Sequence, residues 1–251
     1  PLNNVSSIGC GLVLDIKDKI ALTGPNPNHY YGTLATVTAR FGLTDNLDIN
    51  YVGGYNKNEY YNNLHFDFAG VGDAVNFLTF LDNTADTKTY SNELRLQSNG
   101  NEVYNFTYGG FASNQQLDAV FNFPGIVVPG PALTDITTKD YGLFTNQRFA
   151  LGDRDDIQVG VRYSKTKISN AITGVGRDYN STTGNASYQH QFTDDVMAYA
   201  KYSKGFKSGG WTTRLSQPIS DGSQAEFDPE FAETYEIGLK SELFDNHLLL
   251  N

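Results

Sequence analysis

The chain has 251 residues and a formal net charge of −10, so it offers no basic stripe for binding a nucleic acid. Its single cysteine excludes an intrachain disulfide framework and a cysteine-based zinc site. No stretch approaches the roughly 18 apolar residues of a transmembrane helix, and the abundance of Tyr, Phe and Gly favours an all-β protein.

The chain starts at Pro1 with no signal peptide, and residues 248–251 have the pattern of a strand that is only beginning. We therefore expect a fragment of a longer protein. Residues 1–29 show no strand pattern, and we expect them to form an extracellular loop.

Alternation of apolar and polar side chains predicts strands with one apolar and one polar face. In one such segment, Ile157, Val159 and Val161 alternate with polar residues or glycine. The predicted strands, in chain order, are 31–41, 47–57, 89–98, 102–114, 139–150, 156–168, 182–192, 195–206 and 231–243, with a tenth beginning at 247.

The connections between these strands alternate between tight turns and long loops. The predicted turns are 43–46, 98–101, 151–154, 192–195 and 243–246, and their Asp and Asn residues are expected to supply the turn chemistry. The predicted loops are 58–88, 115–138, 169–181 and 207–230. Short turns at one end and long loops at the other are typical of a membrane β-barrel, whose strands cross the bilayer in about 9–11 residues.

Charged and amide side chains are predicted to share the polar face, which suits a wide barrel with water or a plug inside. They are Arg40, Glu93, Arg95, Gln97, Arg162, Lys201, Glu236 and Lys240. Aromatic residues near strand ends suit the two interfacial girdles of a barrel, namely Tyr30, Tyr31, Phe41, Phe149, Tyr163, Phe192 and Tyr202. A soluble antiparallel sheet with a solvated outer face is the alternative interpretation of the same pattern.

Several stretches resemble the barrel domain of TonB-dependent receptors. The run from Tyr199 to Trp211 (YAKYSKGFKSGGW), followed by FDPE at 227–230 and YEIGLKS at 235–241, is similar to the family's YASYSxGFKSGGF … FxPE … YEIGxKS pattern. YSNELRL at 90–96 resembles its FSQELRL strand. The sequence departs from the pattern at Trp211, where the family more often has Phe, and at Asn92, where it has Gln. The similarity extends from about residue 30 to the end and is most specific over 195–246.

The resemblance implies an all-β, antiparallel up-and-down meander that forms part of a large barrel of the bacterial outer membrane. It also implies a receptor for energy-dependent uptake of a scarce nutrient, with a ferric siderophore as the expected ligand. The implied partners are outer-membrane lipid, the extracellular ligand and a TonB-type energy-transducing protein, which contacts an N-terminal region outside this chain. The single domain, 1–251, then lacks the plug domain and the remaining strands of the barrel.

No covalent chemistry is implied, so we predict neither catalytic residues nor a cofactor nor a metal site. The histidines match no ligand spacing. The pairs Asp155–Asp156 and Asp194–Asp195 are expected in turns, where turn chemistry explains them better than hydrolysis does. The segment 205–210 lacks the order of a phosphate loop.

Ligand contacts are expected in the loops and the lumen, because extracellular loops often bind ligands. The candidates are Tyr61, Phe66, Lys207, Trp211 and Arg214. Two other functions stay open from the residues alone, namely a passive porin-like or adhesin barrel and a soluble secreted β-sandwich such as a lectin or an enzyme.

Overall fold

The computed structural model describes residues 5–6, 13–14, 28–65, 80–100, 102–122, 132–211, 226–244 and 247–250, and within these ranges the regular structure is β-strand. No helix in this described part is long and apolar enough to cross a membrane. The strands are β1 (Val5–Ser6), β2 (Val13–Leu14), β3 (Asn28–Thr44), β4 (Leu47–His65), β5 (Phe80–Ser98), β6 (Tyr104–Asn122), β7 (Ala132–Ala150), β8 (Asp155–Asn170), β9 (Val175–Thr193), β10 (Val196–Lys207), β11 (Gly210–Trp211), β12 (Glu226–Phe227), β13 (Glu230–Leu243) and β14 (Leu248–Leu250).

Ten of these strands form one sheet in which neighbours in space are neighbours in sequence, from β3 at one edge to β14 at the other. Only the two-stranded pair β11–β12 interrupts the order, between β10 and β13. The strand pairs from β7 onward are antiparallel. The predicted all-β meander is therefore confirmed.

The chain forms two compact units, each described by itself below. One unit comprises residues 1–31, 59–85 and 119–133, which include the ends of strands next to the longer connections. The other comprises residues 32–58, 86–118 and 134–251. This second unit contains the polar-face cavity and the ion pairs that define the candidate site.

The strand registers separate a polar face from an apolar one. Arg162 lies opposite Thr183, and Lys201 lies opposite both Ser187 and Glu236, which places these side chains on one face. The other face presents exposed apolar side chains, including Leu143 (69% exposed) and Ile237 (88% exposed). Exposed apolar side chains along one face of a sheet are the pattern expected where lipid covers the outside.

The strands are longer than predicted, and the connections at one end are correspondingly shorter. β4 continues to residue 65 and β5 begins at residue 80, so much of the predicted loop 58–88 is strand. The same holds for loop 115–138, of which 123–131 separates β6 from β7, and for loop 169–181, of which only 171–174 separates β8 from β9. Where both faces of a strand contact water, the apolar–polar alternation is not required although backbone pairing can continue. The predicted first loop, 1–29, also extends too far along the chain, since β3 already begins at Asn28.

Within the described residues the short turns occur where predicted, but threonine and glycine supply much of their chemistry. The backbone N–H of Asn46 donates a hydrogen bond to the Thr44 hydroxyl, and the backbone N–H of Asp195 donates one to the Thr193 hydroxyl, both at 3.3 Å. In the described turns, positive φ angles occur at glycines and at Phe244 (φ 57°), where the sequence had indicated Asp and Asn.

The prediction that Asp155 and Asp156 lie in a turn is wrong, because both begin strand β8. Their side chains point to opposite faces of the sheet, since successive residues of a strand alternate. Asp156 is buried and pairs with Arg148, while Asp155 contacts His190. Asp194 and Asp195 do lie in a turn, between β9 and β10.

Candidate ligand-binding surface

A cavity of about 450 Å³ opens on the polar face in the middle of the sheet. Six of its lining residues come from five strands, β5 to β9, so no short stretch of sequence defines it. They are Arg95, Gln97, Thr107, Phe144, Arg162 and Asn185. The lining combines guanidinium, amide and hydroxyl groups, which can form hydrogen bonds, with the aromatic ring of Phe144.

Glycines on neighbouring strands make room for this lining. A Cβ atom on Gly142 would lie 2.5 Å from the Arg162 guanidinium, and one on Gly160 would lie 2.8 Å from the Asn185 amide. A Cβ atom on Gly109 would collide with the Phe144 ring. The side chains of Phe144, Arg162 and Asn185 therefore lie over glycines of the neighbouring strands.

Arg162 is held by aromatic rings and a hydroxyl, without a carboxylate. Its guanidinium carbon lies 5.4 Å from the ring centre of Phe111 and 5.7 Å from that of Phe144, within the range of cation–π attraction. Its Nε donates a hydrogen bond of 2.9 Å to the Ser164 hydroxyl. No acidic partner of Arg162 occurs in the part of the chain that the structure describes. The positive charge is therefore oriented and available to an anion.

Other arginines of the polar face are neutralised. Arg40 pairs with Asp48 across the turn between β3 and β4, and Arg148 pairs with Asp156 across the turn between β7 and β8, both at 2.5 Å. Each pair joins an arginine to an aspartate eight positions later, with the aspartate side chain largely buried. This repeated pair ties adjacent strands together at the short-turn end, so these guanidinium groups are already occupied.

At the opposite end, strand β12 is fastened to β9. The Arg177 guanidinium donates two hydrogen bonds to the Glu226 carboxylate, at 2.8 and 3.1 Å, and the Tyr179 hydroxyl donates a third at 3.3 Å. The pair β11–β12 thereby holds the two ends of the connection 208–229 together. The Arg177 hydrogen bonds hold the pKa of Glu226 below its ordinary value, so the carboxylate stays ionised near neutral pH.

We expect Arg177→Gln to loosen the base of this connection, because a bidentate arginine–carboxylate pair is lost. Trypsin cleavage after Arg214, between β11 and β12, should become several-fold faster in the folded full-length receptor. Lys204→Gln is the matched control, since Lys204 pairs with Glu233 at 3.2 Å on strands β10 and β13. Equal cleavage rates in both variants would show that the Arg177–Glu226 pair does not restrain the connection.

The five predicted ligand contacts are divided between the two units of the chain. Tyr61 lies on β4 in the first unit, where its ring stacks on His29 at 6.2 Å. Lys207 ends β10 in the second unit, 3.6 Å from the Glu230 carboxylate, with its ammonium 5.8 Å from the Phe227 ring centre. Trp211 belongs to β11. Phe66 and Arg214 lie outside the described residues, and ligand binding by all five stays a prediction.

Sequence reasoning placed Arg162 on the polar face but did not select it as a ligand contact. What distinguishes Arg162 is that no carboxylate of the described residues pairs with it, and this depends on the register of β8 with its neighbours β7 and β9. The Arg177–Glu226 pair was also missed, because the two residues are 49 positions apart. No local pattern in the sequence predicts the surroundings of Arg162 or the Arg177–Glu226 pair.

The TonB dependent receptor-like β-barrel family matches residues 12–251. Solved structures with the same fold include the ferric yersiniabactin uptake receptor FyuA from Yersinia pestis, at 19% identity and a TM-score of 0.66, covering 88% of this chain and 35% of that one. The siderophore receptor PiuA from Acinetobacter baumannii has 17% identity and a TM-score of 0.65, covering 89% and 39%. FpvA from P. aeruginosa, solved with bound pyoverdine, has 14% identity and a TM-score of 0.69, covering 93% and 34%. The chain thus spans little more than a third of the first of these structures, and a comparison with curated protein sequences finds no match.

The antiparallel meander with a polar inner face and an exposed apolar face defines a segment of an outer-membrane barrel. The chain belongs to the TonB-dependent receptor family, in its β-barrel domain. Members of this family are receptors and transporters of the bacterial outer membrane and are not enzymes. This assignment decides against the soluble sandwich and against a porin-like or adhesin barrel.

Proposed function

We propose that this chain forms part of a receptor for energy-dependent uptake of a ferric siderophore. A plug domain outside this chain and a TonB-type energy-transducing protein complete the proposed system. The extracellular ligand enters from the end of the longer connections, where family barrels carry their extracellular loops. The proposed ligand is an iron chelate with net negative charge.

The Arg162 guanidinium is the observation that carries this proposal. Many ferric chelates present carboxylate or catecholate oxygens, and a guanidinium binds planar oxyanions through paired hydrogen bonds. The lack of a carboxylate partner leaves that capacity unused within the described residues. The nearby Phe144 and Phe111 rings provide apolar surface for the organic part of a chelate.

A second observation agrees with an anionic ligand. Arg40 and Arg148 at the short-turn end are paired with aspartates, whereas Arg162, near the middle of β8, has no such partner among the described residues. A guanidinium that served only to join strands would be expected to have such a partner. We infer that Arg162 contacts a mobile anion during binding or passage.

The test is uptake of ⁵⁵Fe-labelled chelates by cells that express the full-length receptor. We expect Arg162→Gln to weaken uptake of a negatively charged ferric chelate on the order of 10- to 100-fold at subsaturating concentration, since a hydrogen bond to a charged group contributes about 1.5–3 kcal/mol. Arg162→Lys should recover part of the loss, because it restores the charge without the planar fork.

Lys201→Gln is the matched control, since Lys201 lies on the same face and does not line the cavity. A protonophore should abolish uptake if it depends on energy from the inner membrane. Uptake that persists with the protonophore contradicts energy dependence. Equal uptake by wild type and Arg162→Gln, for every anionic chelate tested, contradicts the role of Arg162.

A further inference from the structure

The polar face of β7 and β8 carries a carboxylate without a counter-ion. Asp140 accepts hydrogen bonds from the hydroxyl of Thr166, at 2.5 Å, and from that of Ser113, at 3.5 Å. Within the described residues it forms no ion pair. Asp140 lies opposite Thr166, which is four positions from Arg162 on β8, so the carboxylate and the Arg162 guanidinium share the polar face.

The other charged groups around Asp140 do not neutralise it. Lys139 precedes Asp140 on β7 and lies opposite Lys167, and both lysines point to the apolar face because successive residues of a strand alternate. Arg177 is on the polar face of β9, but its guanidinium is already bonded to the Glu226 carboxylate. The carboxylate of Asp140 is therefore available to a group that brings a positive charge.

Arg162 does not pair with Asp140, because two aromatic rings and the Ser164 hydroxyl hold its guanidinium elsewhere. The guanidinium covers Gly142, where a Cβ atom would lie 2.5 Å from its nearest nitrogen. Gly142 is two residues from Asp140, which corresponds to roughly 7 Å along a strand. The two opposite charges are thus close enough for one small molecule to contact both, and they do not neutralise each other.

A row of small residues separates the two charges. Gly142 lies opposite Ser164, and Ser164 lies opposite Ser181, so the three residues form one row across β7, β8 and β9. Ser181 is 6% exposed, and its hydroxyl has no hydrogen-bond partner in the part of the chain that the structure describes. A buried polar group without a partner is uncommon in folded proteins. Such a group between two unpaired charges is the pattern expected of a site that a ligand completes.

We propose that Asp140 is a specificity-determining residue that binds an ammonium group of the imported chelate, next to the oxyanion bound by Arg162. This role of Asp140 rests on the proposed function, in which Arg162 contacts an anionic chelate. A ligand with both charges forms a charge-assisted hydrogen bond with each residue, and such bonds are stronger than those between neutral groups. The preferred substrates are ferric chelates that carry a free amine besides their iron-binding oxygens. A chelate without the amine is disfavoured by the negative charge of Asp140.

The test measures equilibrium binding to the purified full-length receptor in detergent near neutral pH. The probes are a ferric tris-catecholate and a ferric carboxylate chelate, each in one form with a primary amine and in a second form with that amine acetylated. Acetylation removes the positive charge and leaves the iron-binding oxygens unchanged. For at least one chelate, we expect the wild type to bind the amine form on the order of 10- to 100-fold more tightly than the acetylated form.

Asp140→Asn should abolish this preference, because the amide still accepts hydrogen bonds from the neighbouring hydroxyls but carries no charge. The amine form should bind as weakly as the acetylated form, whose own affinity should be unchanged or slightly higher. Asp178→Asn is the matched control, since Asp178 lies on the apolar face of β9, where its carboxylate is 3.2 Å from the Lys165 ammonium. This control should keep the preference of the wild type.

A heat-modifiable gel band establishes that each variant barrel is folded. If Asp140→Asn does not fold, Asp140→Ser, which also removes the charge, takes its place. Equal affinities of the wild type for the two forms of both chelates would overturn the proposal. An Asp140 variant that loses affinity equally for both forms would also overturn it, since that result assigns Asp140 to a structural role or to an inorganic cation.

Arg162→Gln distinguishes a failure of the proposed function from a failure of this proposal. It should weaken the binding of both forms and keep the preference for the amine. If Arg162→Gln binds both forms like the wild type, the proposed role of Arg162 is contradicted. A preference that Asp140→Asn abolishes would in that case still support the binding of an ammonium group by Asp140.

Discussion

Replacing Ile237 with lysine should destabilise the folded receptor by about 2–4 kcal/mol, the cost of a lysine on the lipid face near the bilayer midplane. Ile237 is the eighth of the fourteen residues of β13 and is 88% exposed on the apolar face, flanked on that face by Tyr235 and Leu239. The lipid-facing surface of an outer-membrane barrel is apolar, so we expect an ammonium placed at this position to lose its hydration. The loss appears as a lower denaturant midpoint and a weaker heat-modifiable band in the outer-membrane fraction.

Thr234→Lys on the same strand is the control for this variant. Thr234 lies opposite Ser203 on the polar face, where an added ammonium stays hydrated. It should leave the free energy of unfolding within about 0.5 kcal/mol of the wild type, as surface substitutions usually do. If both lysine variants fold with the stability of the wild type, the assignment of the apolar face to lipid is wrong.

Gly184→Ala should destabilise the pairing of β8 and β9 by about 1–3 kcal/mol, the usual cost of overpacking. A Cβ atom at Gly184 would lie 2.6 Å from the Gly160 carbonyl oxygen, which belongs to the backbone of the neighbouring strand. The strand cannot yield without lengthening the hydrogen bonds of the pair. Denaturant unfolding of the full-length receptor measures the change.

Gly110→Ala is the matched substitution at a glycine with room. Its Cβ atom would lie 3.6 Å from the Leu143 side chain, which is an ordinary contact. Because glycine in the middle of a strand is less favourable than alanine by roughly 0.5–1 kcal/mol, this variant should be as stable as the wild type or slightly more so. Equal stabilities of the two alanine variants would be evidence against the close approach of the Gly184 and Gly160 backbones.

The sequence by itself determined the fold class and the family. Alternation such as that of Ile157, Val159 and Val161 is a local property with a period of two, and it assigns faces wherever lipid contacts one side and water the other. The short turns are also local, because threonine and glycine shape the backbone within a few residues. The motifs of 195–246 supplied the family resemblance, which the match over residues 12–251 confirms.

The tertiary structure alone decided how far the strands extend and which charges are paired. Beyond the bilayer both faces contact water, so the pattern that marks a strand disappears, and only pairing with a neighbour reveals that β4 continues to His65. Within the described residues, the lack of a carboxylate next to Arg162 depends on strand register. Register aligns residues far apart in the chain, and a shift by one position would turn each side chain to the other face. No local pattern of residues specifies such partners.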